Sequence, residues 1–151
     1  MKLSRNFSLQ ELTKSETAIR KDIDNTPSEE VIRNLTTLCE MVLQKVRNSH
    51  GAVTITSGYR SPELNKAIGG STTSDHCKGL AADFEVPGLD NKELAKWIID
   101  NLTFKQLILE FYNGEPNSGW VHCSFEEGKN NNQVLRAVKE GKKTVYLKGI
   151  E

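Results

Sequence analysis

The sequence predicts an α+β fold, a single domain with a mainly antiparallel sheet flanked by helices. Three observations carry that expectation. "TPSEEVIRNLTTLCEMVLQKVRNSHG" places Val31, Ile32, Leu35, Leu38, Val42 and Val46 at helical intervals. Short β-branched or alternating runs come after it, beginning with "VTITS" at 53–57. "QLILEFY" and "WVHCSF" are two such runs joined by the turn-rich "NGEPNSG", the pattern of a hairpin. Helices before and between strands of this kind give an α+β layer arrangement.

In chain order, "SLQE" at 8–11 has the Ser-x-x-Glu spacing of a capping box and predicts a short helix after Phe7. The long helix is expected to start with Thr26 as cap, Pro27 in the first position and Glu29 closing a second box, and to end near Gly51. "GYRSPELNKAIGGS" reads as a turn and a short helix opened by Ser61 and Pro62 and closed by Gly69. "LAADFEV" is the second strand, and "DNKELAKWIIDNL" carries Leu94, Trp97, Ile98 and Leu102 on one helical face. The tail adds strands in "QVLRAV" and "TVYLK". No repeat, linker or low-complexity tract interrupts residues 1–151, so one domain is expected, and 151 residues suffice for a hydrophobic core without disulfide staples.

Composition narrows the partners. Twenty basic residues balance twenty acidic ones, so no overall field draws in nucleic acid or an anionic membrane surface. The start "MKLSRNFSLQEL" has no apolar run of signal-peptide length, and no segment nears the roughly 20 apolar residues of a membrane span. A soluble chain made in a cytoplasm is the expectation. The cysteine count is odd, three, with Cys39 far from Cys77 and Cys123, which favours reduced thiols used as small hydrophobes.

"SDHCKGLAADFEV", residues 74–86, sets a lone carboxylate, Asp83, among Ala81, Ala82 and Phe84. Burying it requires a compensating cation. Of the three histidines, His76 stands at the lip of this strand and His122 within "WVHCSF", while His50 reads as a solvated helix end. Alternation puts Trp120, His122 and Ser124 on one strand face, opposite Val121, Cys123 and Phe125. Two imidazoles and one carboxylate with a fourth position left for water would form an open zinc site. Spacing alone leaves that reading open beside ordinary hydrogen-bonded strand histidines.

"ITSGYRSPELNKAIGGSTTSDHCKGLAADF", together with the later "QLILEF" and "GWVHCSF", resembles the zinc D-alanyl-D-alanine carboxypeptidase family, particularly its short phage- and bacterium-encoded peptidoglycan peptidases. The wider clan is similar in motif to D-Ala-D-Ala dipeptidases and to the Hedgehog signalling domain. The resemblance implies Zn²⁺ held by His76, Asp83 and His122, within a Ser-x-His-x₆-Asp motif and a later Trp-x-His. It also implies that Arg60 of "SGYR" binds or polarises the substrate. Ser74 either bonds substrate or caps a turn. Many relatives carry an acidic residue two or three positions before the last histidine; here Trp120 and Gly119 occupy those places. The remaining candidate for general base is Glu110 in "QLILEF", with Glu85 an alternative on the Asp83 face and Glu115 expected to be solvated. The activity implied by the resemblance is that of a zinc hydrolase of amide bonds in peptidoglycan stem peptides, and a neutral, single-domain wall peptidase with no signal-peptide run suggests a phage endolysin, expected to be a monomer. The alternative is a non-catalytic binding module of the same fold.

Overall fold

The computed structural model describes all residues from Met1 to Glu151. A small N-terminal hairpin, β1 (Lys2–Ser4) and β2 (Phe7–Ser8), leads directly into α1 (Leu9–Thr13). Ser8 caps α1 with the expected box: its hydroxyl accepts the Glu11 amide, and the Glu11 carboxylate accepts the Ser8 amide. A second short helix, α2 (Glu16–Arg20), is capped by Ser15.

The long helix begins at Glu29, two residues later than its sequence predicts. Asp24 Oδ1 accepts the Thr26 amide at 2.9 Å, which ties Thr26 into a turn. Ser28 is the cap instead, accepting the Val31 amide at 3.3 Å. The helix then runs in three parts: α3 (Glu29–Leu38), a π turn (Cys39–Leu43), and α4 (Gln44–His50). In the wide turn the Gln44 amide reaches back five residues to the Cys39 carbonyl. Val31, Leu35, Leu38, Cys39, Val42, Leu43 and Val46 are all buried along it.

The main sheet has six strands in the order β3-β4-β6-β5-β7-β8. They are β3 (Thr54–Ser57), β4 (Ala81–Glu85), β5 (Gln106–Glu110), β6 (Trp120–Ser124), β7 (Gln133–Glu140) and β8 (Lys143–Lys148). Every pairing is antiparallel except β5 with β7, so the sheet is mainly antiparallel as the sequence predicts. β5 and β6 form the expected hairpin. Between strands stand α5 (Pro62–Ala67), capped by Ser61, and α6 (Asn91–Asn101), capped by Asp90.

One sheet face meets the helices. Ala82, Phe84, Leu107, Leu109, Val121 and Cys123 join Leu35, Leu38, Val42, Leu94 and Ile98 in the core. The intervening strand residues, Asp83, Ile108, Glu110, Trp120 and His122, line a cleft on the other face. His50 is half-buried at the end of α4, its ring edge-on to Trp97 at 4.8 Å, so it is a packed residue and not the solvated helix end its position suggests.

Candidate metal centre and catalytic cleft

Asp83 and His122 are direct cross-strand partners on β4 and β6. That pairing sets their side chains on one face with Cβ atoms about 5 Å apart. The pleat alone therefore brings a carboxylate and an imidazole together. A register irregularity between Ile55 and Ser57 of β3 lies beside Asp83, whose backbone carbonyl also accepts the Thr56 hydroxyl at 3.1 Å. Bulges of this kind re-aim strands next to functional sites.

His76 arrives from outside the sheet, on a 3₁₀ turn (Asp75–Lys78) that precedes β4. Ser74 caps this turn, its hydroxyl accepting the His76 amide at 3.2 Å. The imidazole Nδ1–H donates to the Gly58 carbonyl at 2.7 Å. A carbonyl can only accept, so Nε2 is the nitrogen that takes either a proton or a metal ion, and an anchored imidazole of this kind is the usual partner of a metal. Gly58 is at this position for a steric reason: a Cβ there would run into the Leu12 carbonyl, which accepts the Tyr59 amide at 2.7 Å.

His76 Nε2 lies 3.3 Å from Asp83 Oδ1, and His122 Nδ1 lies 2.9 Å from the same oxygen. All three side chains are buried. Burial opposes ionisation of Asp83, but hydrogen bonds and charge from His122 and His76 hold its carboxyl well below the usual carboxylate range. Burial likewise opposes charge on His122, and the Asp83 carboxylate more than offsets it, raising the imidazole above its ordinary value. The three ligand atoms lie within 4.8 Å of one another. Ligands about 2.0–2.1 Å from a tetrahedral metal stand roughly 3.4 Å apart, close to the separations at Oδ1. Donor types, spacing and anchoring fit a divalent cation.

Residues 5–124 match the model of the family described as Peptidase M15. The chain belongs to the peptidase M15 family. It is thus of a metallopeptidase family, and its His76, Asp83 and His122 form a group that could hold a metal ion. No curated protein matches the chain.

Around this M15 centre opens a cleft of about 590 Å³, lined by Arg60, Ser74, Glu110 and Trp120 among others. The backbone amide of Arg60 donates to the His76 carbonyl at 3.1 Å, so "SGYR" and the histidine turn are stitched together at two points. The Arg60 Nε–H is buried without a protein partner. A buried donor left unpaired costs free energy on the order of 1–3 kcal/mol, a cost that a ligand acceptor would remove. Ser74 serves as the turn cap while also lining the cleft.

Glu110 ends β5 directly across from Trp120 on β6. The indole N–H of Trp120 donates to Glu110 Oε2 at 2.8 Å. Burial and the nearby Asp83 charge raise the Glu110 carboxyl above its ordinary value, against the opposing pull of His122, the Trp120 bond and Arg60. The chain turns sharply just beyond it: Phe111 has φ 57°, uncommon for a bulky residue, and packs edge-on to Trp120 at 5.5 Å. Gly119, at φ 63°, completes the turn where a Cβ would run into the Glu110 carbonyl.

The other acidic candidates are engaged elsewhere. Glu85 accepts a bond from the Asn91 side-chain Nδ2 at 3.0 Å and does not line the cleft, and Glu115 is exposed in the loop. The thiols stay out of the metal group. Cys123 is buried on the core face, and burial pushes its thiol far up; Cys39 is pushed up to about 12 for the same reason. Burial raises the Cys77 thiol too, with Arg60 acting in the opposite direction. Sequence reasoning does not find Gly58 as the anchor of His76, nor Trp120 as the partner of Glu110. The signal for the second was present: Trp120 shares a face with His122, and the hairpin register sets it opposite Glu110.

Proposed function

We propose that the protein is a zinc-dependent hydrolase of amide bonds in the peptide stems of bacterial peptidoglycan, acting through residues 1–151 as one peptidase domain. The observation that carries this reading is the juxtaposition, in one cleft, of an anchored His-Asp-His group, an arginine whose Nε–H is buried without a partner and a carboxyl of raised pKa. Zinc on His76, Asp83 and His122 would lower the pKa of water and polarise a carbonyl oxygen.

The chain's own groups supply the rest. Glu110, with Oε2 held by the Trp120 indole, has Oε1 to accept the proton of the attacking water and pass it to the leaving amine. Arg60 binds a carbonyl or carboxylate of the substrate through its fork of donors and steadies the negative charge that develops there. Ser74, beyond its cap, offers a hydroxyl at the cleft wall for a peptide group. A neutral, monomeric enzyme of this size, made in a cytoplasm and acting on the wall without nucleic-acid or membrane partners, suits a phage endolysin. No helix is long and apolar enough to cross a membrane.

The deciding experiment is digestion of purified peptidoglycan with mass analysis of the products, with and without a chelator. Release of amino acids or stem fragments that stops on chelation is expected. Zinc-loaded protein that binds peptidoglycan and releases nothing would identify a non-catalytic module of the same fold.

A further inference from the structure

The family match ends at residue 124, yet the chain continues into a hairpin, β7 and β8, that completes the sheet. Its register relates it to the metal centre. Ile108 pairs with Leu135 and Glu110 with Ala137 across the parallel β5–β7 ladder, and Ala137 pairs with Tyr146 across β7–β8. Directly paired residues show their side chains on the same face. Leu135 and Tyr146 therefore share the face that carries Glu110 and His122, and both line the same cleft. Tyr146 is 53% exposed, which leaves much of its ring free to meet a ligand. Its partial burial and the nearby carboxylates of Glu110 and Asp83 raise the phenol above the ordinary tyrosine value.

The cleft thus runs across the strands between two unlike ends. Near β3 and the histidine turn stand Arg60 and the hydroxyls of Ser71, Thr73 and Ser74. At the other end stand Leu135 and the ring of Tyr146, with Ile108, the cross-strand partner of His122, between the two. The backbones of His122 on β6 and Tyr146 on β8 are three strand spacings apart, about 14 Å, and the tyrosine side chain lines the same cleft as His122, so an extended peptide meets the hairpin within roughly two to four residues of the metal group.

We propose that the β7–β8 hairpin is the far wall of the substrate cleft, where Leu135 and Tyr146 bind a segment of an extended peptide about two to four residues from the bond that is cut. The proposal rests on the peptidase reading above and adds to it a specificity determinant outside the matched family segment. A short substrate cannot reach this subsite, whereas a full peptide stem can.

The test compares the zinc-loaded full chain with its Tyr146→Ala, Tyr146→Phe and Leu135→Ala variants on two probes. One is a free pentapeptide stem ending in D-Ala-D-Ala; the other is an N-acetylated D-Ala-D-Ala dipeptide. Tyr146→Ala and Leu135→Ala should raise KM for the pentapeptide about tenfold with kcat little changed, and leave the dipeptide unaffected. Tyr146→Phe, which keeps the ring, should retain most of the wild-type KM. Thermal unfolding and metal content should match wild type, because Tyr146 is exposed on an edge strand. Equal losses on both probes, or none on either, would overturn the proposal. Should the wild-type protein cleave neither probe, calorimetric binding of the pentapeptide still decides: about tenfold weaker binding by Tyr146→Ala upholds the subsite. Equal affinity, or no binding by wild type, rejects it.

Discussion

The strands β4, β5 and β6 present two faces of opposite chemistry built from alternating residues of the same few segments. On the helix side, Ala82, Phe84, Leu107, Leu109, Val121 and Cys123 pack without a polar atom to satisfy. On the cleft side, one residue away in each case, Asp83, Glu110, Trp120 and His122 form hydrogen bonds among themselves, with His76 joining from its turn. The difference teaches how a small domain holds a charged group away from water. The core face fixes the strands to within the tolerance of close packing, and the pleat then delivers the opposite side chains into register with no further adjustment. Stability should reside on one face and chemistry on the other, and substitutions can test how cleanly they divide.

The sharpest division should come from the proposed metal ligands. His76→Ala and His122→Ala should each lose the metal on dialysis against a mild chelator and lose activity with it, while the fold persists. Phe84→Ala, adjacent to Asp83 but facing the helices, should instead cost about 3–5 kcal/mol in denaturant unfolding. Full metal occupancy in both histidine variants would remove the site from this face.

Glu110→Gln should come next. The amide is nearly isosteric, so metal and fold should be retained while the rate falls by roughly two to four orders of magnitude. The wild-type rate should also fall as the solution becomes more acidic, because a carboxylate proposed as general base must be ionised to accept a proton. Since burial raises this carboxyl, a limb due to it lies above the ordinary glutamate value of about 4.3. A Glu110→Gln protein with wild-type turnover would shift the role of base to another group.

A smaller loss is expected at the cleft's polar end. Arg60→Lys should reduce kcat/KM roughly ten- to a hundredfold with unchanged thermal stability, because a single ammonium cannot reproduce a two-pronged contact. Wild-type rates in a well-folded variant would return Arg60 to a surface role. The smallest effect belongs to Cys77→Ser, which should leave metal content unchanged by direct metal analysis; loss of the ion would bring that thiol into the coordination sphere.

Much of this division was legible in the sequence because it rests on a period of two. "WVHCSF" separates His122 from Cys123 by alternation alone, and "LAADFEV" does the same for Asp83 and Phe84. The long helix, α5, α6 and the β5–β6 hairpin arise from caps, spacing and turn residues in the same way. The features that escaped depend on competition between equivalent local signals or on contacts between distant segments. Thr26 and Ser28 are both good caps, and only the Asp24 bond to the Thr26 amide decides between them. β1 and β2 are too short to carry a pattern, and so is α2. The bond from His76 to Gly58 spans 18 residues, and the ring of His50 meets Trp97 only after tertiary packing.

The π turn at Cys39–Leu43 has a consequence for the history of the chain as well as for its shape. A wide turn stores one extra residue without rotating the helix on either side. Elsewhere in the long helix, losing a residue would swing everything beyond it by about 100°, carrying the apolar stripe off the sheet. Within the wide turn, the same loss would restore uniform α-helical winding and keep Leu35 and Val46 directed at the core. This short stretch is therefore where the domain can shed a residue inside a helix and remain the same domain.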